Sequence, residues 1–216
     1  MKTNEEVWSI VNELKALYPD SLCSLEYEKD YELLFSVRLA AQCTDERVNK
    51  VTPALFARFS TLESLAEADV AEVEQYIHST GFFRAKARDI VLASQMLLRD
   101  YGGKVPGTME ELLKLPGVGR KTANLMLGDV FHVPGVVVAD THCIRITGLL
   151  GLTDGSKDPA KVEMQLRQVL PPEESNDFCH RMVLHGRAVC IARRPQCESC
   201  TLRPWCDHFM KETGKS

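Results

Sequence analysis

No stretch of this chain has the roughly 18 consecutive apolar residues that a membrane-spanning helix needs. Its start, Met1-Lys2-Thr3-Asn4-Glu5-Glu6, carries acids where a secretory leader would turn apolar. Membrane and secreted classes are thereby set aside. The reducing cytoplasm is the expected compartment, with association to the nucleoid if the source is bacterial. Sequence repeats and low-complexity tracts are missing too. Strand signals are almost missing: Val136-Val137-Val138 is short, has no partner strand in view and reads as an extended linker. A surplus of positive charge is also absent, the formal net charge being −4. That argues against bulk electrostatic affinity for nucleic acid, but not against a local basic stripe. Residues 84–88 hold Arg84, Lys86 and Arg88 without an acid. Residues 187–203 hold Arg187, Arg193, Arg194 and Arg203 against Glu198 alone. Taken separately, each reads as an ordinary solvated helix or loop face.

What is present suits a helical protein. The 216 residues are 44% hydrophobic and 26% charged, enough for one large domain or two small ones with real cores. Thr3-x-x-Glu6 is a capping-box signature ahead of Val7, Ile10, Val11, Leu14 and Leu17 on one face. Residues 31–41 read as a buried helix. The helix after Thr44 meets Pro53, a predicted break or kink. Asp69 opens a helix that Gly81 stops, and a long helix over about 84–101 ends at Gly102-Gly103. Thr108 caps a short helix, and another follows over about 120–130. Asp140 can cap a helix through Leu150, Asp158-Pro159 starts the next, and the last long helix covers about 175–188. The fold class is all-α.

Cysteine usage is uneven. Of eight cysteines, Cys23, Cys43, Cys143 and Cys179 are isolated and read as buried thiols. Cys190, Cys197, Cys200 and Cys206 form C-x6-C-x2-C-x5-C in a loop-like stretch with Pro195 and Pro204. Four thiolates this close can surround one metal centre. A structural zinc site is one reading. A single C-x2-C pair flanked by longer loops suits a larger unit such as a [4Fe–4S] cluster. Spacing alone leaves both open.

The second strong feature is Leu115-Pro116-Gly117-Val118-Gly119-Arg120-Lys121-Thr122-Ala123. A short helix, a Gly-x-Gly turn and a second helix make a helical hairpin. Unpaired amides at the second helix's positive end form a ready anion site, such as a clamp on a DNA phosphate. A plain turn containing glycine is the plainer alternative, and Arg120-Lys121 tilts against it. Lys121 lies in the first turn, where the helix dipole disfavours a cation and so favours a nucleophilic free amine. Asp140, in Val138-Ala139-Asp140-Thr141-His142, reads either as a bare N-cap or as a carboxylate that stabilises cationic charge or activates a nucleophile.

In this order, the hairpin, the Asp140 segment and Leu184-His185-Gly186-Arg187 ahead of the four cysteines resemble the endonuclease III family of the helix-hairpin-helix DNA glycosylases. The similarity reaches back through Ala40-Ala41-Gln42-Cys43-Thr44-Asp45, Val48-Asn49-Lys50 and Thr80-Gly81-Phe82, and so covers nearly the whole chain. The resemblance implies two all-α lobes with a DNA-binding cleft between them. One is a six-helix barrel with the hairpin, residues 23–133. The other, residues 1–22 and 134–216, holds a [4Fe–4S] cluster on Cys190, Cys197, Cys200 and Cys206. It implies that Lys121 attacks C1′ of a damaged nucleotide, that Asp140 assists, and that a Schiff base then permits β-elimination 3′ to the abasic sugar. DNA contacts fall on Gln42, Phe82, Gly117, Val118, Gly119, Arg120, His142, Arg187, Arg193 and Arg194. Gln42 and Phe82 would be wedges filling the hole left by a flipped base. Phe82 stands where the family usually has leucine, and Cys43 and Ala139 where it more often has alanine and valine. The implied partner is damaged double-stranded DNA carrying oxidised or ring-saturated pyrimidines or abasic sites, bound by a monomer.

Rival readings exist. The adenine-specific mismatch glycosylase shares hairpin, aspartate and cluster but lacks the lysine and carries a further C-terminal domain. Lys121 and an end at Ser216 count against it. A thymine-mismatch glycosylase usually changes the lysine position. A non-catalytic iron–sulfur DNA-binding protein would need neither Lys121 nor Asp140.

Overall fold

The computed structural model describes residues 2–20 and 23–214. Met1, the residues just before the expected lobe boundary at 22/23, and the last two residues lie outside the described residues. Twelve α-helices and no strand are found among those described. The chain divides into two compact units, Cys23–Phe131 and a second made of Met1–Leu22 with His132–Ser216.

In the unit Cys23–Phe131, α2 (Asp30–Ala40) is central because it is apolar nearly all round. Leu33, Leu34, Phe35, Val37 and Leu39 are all buried, each worth about 1.5–3 kcal/mol of removed apolar surface. It packs on α3 (Asp45–Arg58), α6 (Phe83–Tyr101) and α8 (Arg120–Asp129). α3 starts at its Thr44 cap and continues as one helix through Pro53, so of the predicted break or kink the break does not occur. Proline removes one N–H and crowds the carbonyl four residues back. Burial of Val48 and Thr52 before it and Leu55 after it holds both halves to one core, and that packing overrides the local cost. Two further helices, α4 (Leu62–Ala66) and α5 (Val70–Ile77), pack on α6. α4 has no long apolar stripe to announce it, only a Thr61–Ser64 capping box. A 3-10 turn, His78–Thr80, then leads through Gly81 into α6, and α7 (Met109–Leu112) precedes α8.

In the other unit, α1 (Asn4–Leu17) carries the expected capping box between Thr3 and Glu6 and packs on α11 (Ser175–Ala188). Polar ties fix that pairing. Arg181 Nε donates to the Tyr18 carbonyl at 3.2 Å, and Lys15 Nζ meets Glu174 at 2.5 Å. Lys2 Nζ reaches Asp207 at 2.5 Å, at the start of α12 (Asp207–Glu212). α9 (Thr141–Leu150) packs on α11, and α10 (Pro159–Val169) begins at the predicted Asp158 cap with Pro159. Val136, Val137 and Val138 are buried but extended and unpaired as a strand.

Candidate functional site

The hairpin turn is closed by the Val118 amide donating to the Leu115 carbonyl at 3.1 Å. Pro116 takes the second turn position and Gly117, at φ 74°, the third, the pattern of a type II turn. Glycine is needed there for a second reason. A Cβ on Gly117 would come within 2.6 Å of Arg38 Nε and 2.7 Å of Asp89 Oδ2. Those two groups form an ion pair between α2 and α6, Nε to Oδ2 at 2.7 Å, directly under the turn. Sequence reasoning missed this pair, whose members stand far apart in the chain.

Gly119 does different work. Its backbone is extended, it caps α8 without a side-chain hydrogen bond, and a Cβ there would meet nothing. The amides of the first turn of α8 are thus not covered by their own cap. Arg120 and Lys121 are exposed on that turn and Val118 is half-buried beside it. The arrangement combines positive backbone potential, an arginine and a primary amine at one helix start.

The start of α9 is built the opposite way. Asp140 is half-buried and caps the helix, its Oδ1 accepting from the Cys143 amide at 2.7 Å. The cap reading is therefore realised. It fixes the orientation of the carboxylate at the start of α9. His142 is half-buried with its ring against Gly186 of α11, where any Cβ would strike Nδ1. Gly186 is the point that lets α9 and α11 approach.

Gln42 and Phe82 both take left-handed backbone conformations, at φ 56° and 48°. For residues other than glycine that costs about 1–2 kcal/mol each, and it persists only where surroundings enforce it. Phe82 is 69% exposed, so core packing does not explain it; Phe83, its neighbour, is the more buried ring, stacked on His78. The expected basic run at residues 84–88 is corrected. Arg84 and Arg88 are exposed, but Lys86 is fully buried and donates to the carbonyls of Leu39 and Thr80.

Cys190, Cys197, Cys200 and Cys206 line a single cavity. Its other walls include Ile146, Leu149, Leu150 and Phe209. Burial, and then the neighbouring thiols, push the Cys197, Cys200 and Cys206 thiols up. Four soft donors crowded into an apolar cavity repel one another as thiolates, and a cationic inorganic centre is what would relieve that, so the donor set fits a thiolate-held cluster. No group of three or more His, Cys, Asp or Glu among the described residues is gathered as if around one metal ion. Two contacts around the cavity escaped the sequence reading. Arg145 donates to Cys190 Sγ at 3.4 Å and to its carbonyl at 2.7 Å. His185, held by Tyr18 Oη at 3.2 Å, lies 3.6 Å from Cys200 Sγ, and burial lowers its pKa to about 4. Arg187, Arg193 and Arg194 are exposed on the approach to and within the loop, whereas Arg203 donates to the Glu198 carbonyl.

An all-helical fold with a glycine-turned hairpin and a cysteine-lined cavity defines a class of DNA repair protein, and comparison agrees. The family described as HhH-GPD superfamily base excision DNA repair protein matches residues 35–172, which include the hairpin, Asp140, Gln42 and Phe82. Endonuclease III of Synechocystis sp. is 48% identical over 193 residues, 89% of this chain and 88% of that protein. Endonuclease III of Bacillus subtilis is 39% identical over 199 residues, 92% and 90% of the two chains. A solved structure described as a trapped endonuclease III–DNA covalent intermediate superimposes with a TM-score of 0.90 at 40% identity, covering 99% of this chain and 100% of that one. The chain belongs to the endonuclease III family within the HhH-GPD superfamily. Its activity is that of a DNA glycosylase and AP lyase of base excision repair. No helix among the described residues is long and apolar enough to cross a membrane.

Proposed function

We propose that this protein, acting as a monomer on damaged double-stranded DNA in the cytoplasm, excises oxidised or ring-saturated pyrimidines and cuts the strand through an imine on Lys121. The carrying observation is an exposed primary amine in the first turn of a helix whose N-cap, Gly119, makes no side-chain cap bond. That helix start and Arg120 bind the phosphate backbone and set register. Lys121 Nζ attacks C1′; a C–N bond forms, the glycosidic bond breaks, and the damaged base leaves with a proton. Opening of the sugar gives a protonated Schiff base. Loss of a 2′ proton then drives departure of the 3′ phosphate, which is β-elimination. Asp140 stabilises the cationic charge that develops at C1′ and carries protons in these steps. A water nucleophile would excise the base without an imine, so a covalent link to protein separates the two mechanisms. The related endonuclease III that was trapped covalently on DNA supports the amine route.

Gln42 and Phe82 fill the hole left by the extruded nucleotide. Their strained backbone and the exposure of Phe82 support that reading. The thiolates of Cys190, Cys197, Cys200 and Cys206 hold a [4Fe–4S] cluster. When bound, that group supplies a cross-link that shapes the loop and not an open coordination position for substrate. Arg187, Arg193 and Arg194 then meet DNA phosphates, and His142 braces Asp140's helix beside them. Iron and sulfide content with brown colour is the expected finding on purified protein; a colourless zinc protein would overturn the cluster.

The test is borohydride trapping on duplexes containing thymine glycol or an abasic site. Wild type should give a covalent complex and Lys121→Ala none. No complex from wild type with its cysteine site loaded would sink the imine mechanism.

A further inference from the structure

A buried ammonium is costly unless its protons find acceptors, and a hydrophobic residue of similar length often serves stability as well. Lys86 is 0% exposed, and its Nζ donates to the Leu39 carbonyl at 2.7 Å and the Thr80 carbonyl at 2.8 Å. Both acceptors are helix ends. Leu39 is in the last turn of α2, and Thr80 closes the 3-10 turn. Such ends carry orphan carbonyls and negative potential, so one cation satisfies two of them. Burial lowers the Lys86 pKa, opposed by nearby Cys43 and reinforced by Arg38.

The residues just downstream of the two acceptors give the contact its meaning. Three residues beyond Leu39 is Gln42, and two beyond Thr80 is Phe82, both left-handed. The Lys86 amide also donates to the Phe82 carbonyl at 3.2 Å. One residue therefore grips the segment 80–82 from its side chain and from its backbone, and ties it to the end of α2. The two carbonyl oxygens cannot separate by more than the combined reach of one ammonium.

We propose that Lys86 is a positioning residue for excision, holding Gln42 and Phe82 in the poses from which both enter the duplex. The inference rests on the wedge reading of those two residues. It makes Lys86 dispensable for imine chemistry itself, because an abasic sugar in single-stranded DNA leaves no hole to fill.

The test compares Lys86→Met with wild type on two substrates. Single-turnover excision of thymine glycol from duplex DNA should fall at least tenfold, while borohydride trapping on a single-stranded abasic oligonucleotide stays within twofold. Lys86→Gln, which retains a donor, should recover part of the duplex rate. Equal losses on both substrates, or no loss on duplex, would overturn the proposal. So would failure of both variants to fold, since the contact would then serve stability. Phe82→Ala and Gln42→Ala run alongside. If they cut duplex DNA as wild type does, the wedge reading itself is wrong. If they are slow while Lys86→Met is normal, the wedge stands and the role of Lys86 fails alone.

Discussion

Two helices in this protein start in opposite ways. α8 begins at Gly119, which makes no side-chain cap bond, and carries the exposed Arg120 and Lys121 in its first turn. α9 begins at Asp140, whose carboxylate is committed to the Cys143 amide. An uncapped start keeps its positive end for a ligand anion, whereas a capped start turns the same potential inward to orient a carboxylate. The contrast shows how leaving out a side-chain cap at Gly119 leaves room for a phosphate to take that place. Under the proposed mechanism the roles separate the same way: the α8 start would grip and attack, and the α9 start would hold charge in place.

The comparison can be broken most severely at the attacking end. Lys121→Ala should abolish covalent trapping while leaving duplex binding in a gel shift, because the amides and Arg120 remain. Next in size is Asp140→Asn. Asparagine caps a helix about as well as aspartate, so stability should change little. Single-turnover base excision should nevertheless fall by roughly 10²–10⁴-fold, the span of a lost acid–base group. Unchanged turnover would reduce Asp140 to a cap. Gly117→Ala comes third. It combines a positive φ with contacts under 3.0 Å to the Arg38–Asp89 pair, and thermal unfolding should register about 1–3 kcal/mol of destabilisation with weakened DNA binding. The smallest effect sharpens the contrast best. Gly119→Asp gives α8 the kind of cap that α9 has, and should gain a few tenths of a kcal/mol in stability. DNA affinity should drop, and the salt slope of binding should shrink by about 0.9 as one phosphate contact is lost.

Features written in neighbouring residues were legible in the sequence. Side-chain caps at Thr3, Asp69, Thr108, Asp140 and Asp158 act within a turn, and each starts its helix as read. The four cysteines share one cavity because the loop that joins them is short. Features that depend on packing between distant segments were not legible. Pro53 remains helical because the core holds both sides of it. The Arg38–Asp89 pair under Gly117 joins residues 51 positions apart, and Lys86 meets Leu39 across 47. A lysine between two arginines looks solvated until the helix carrying it is turned. α12 is a single short helix with no buried residue, and its pattern gives no signal.

The amine at the start of α8 is the central claim, and peptide mapping tests it most directly. Wild-type protein is reduced with borohydride on an abasic duplex, digested with protease and nuclease, and the sugar-modified peptide is sequenced by mass spectrometry. The adduct is expected on Lys121 Nζ. An adduct on another lysine or on the terminal amine, with Lys121 unmodified, would contradict it.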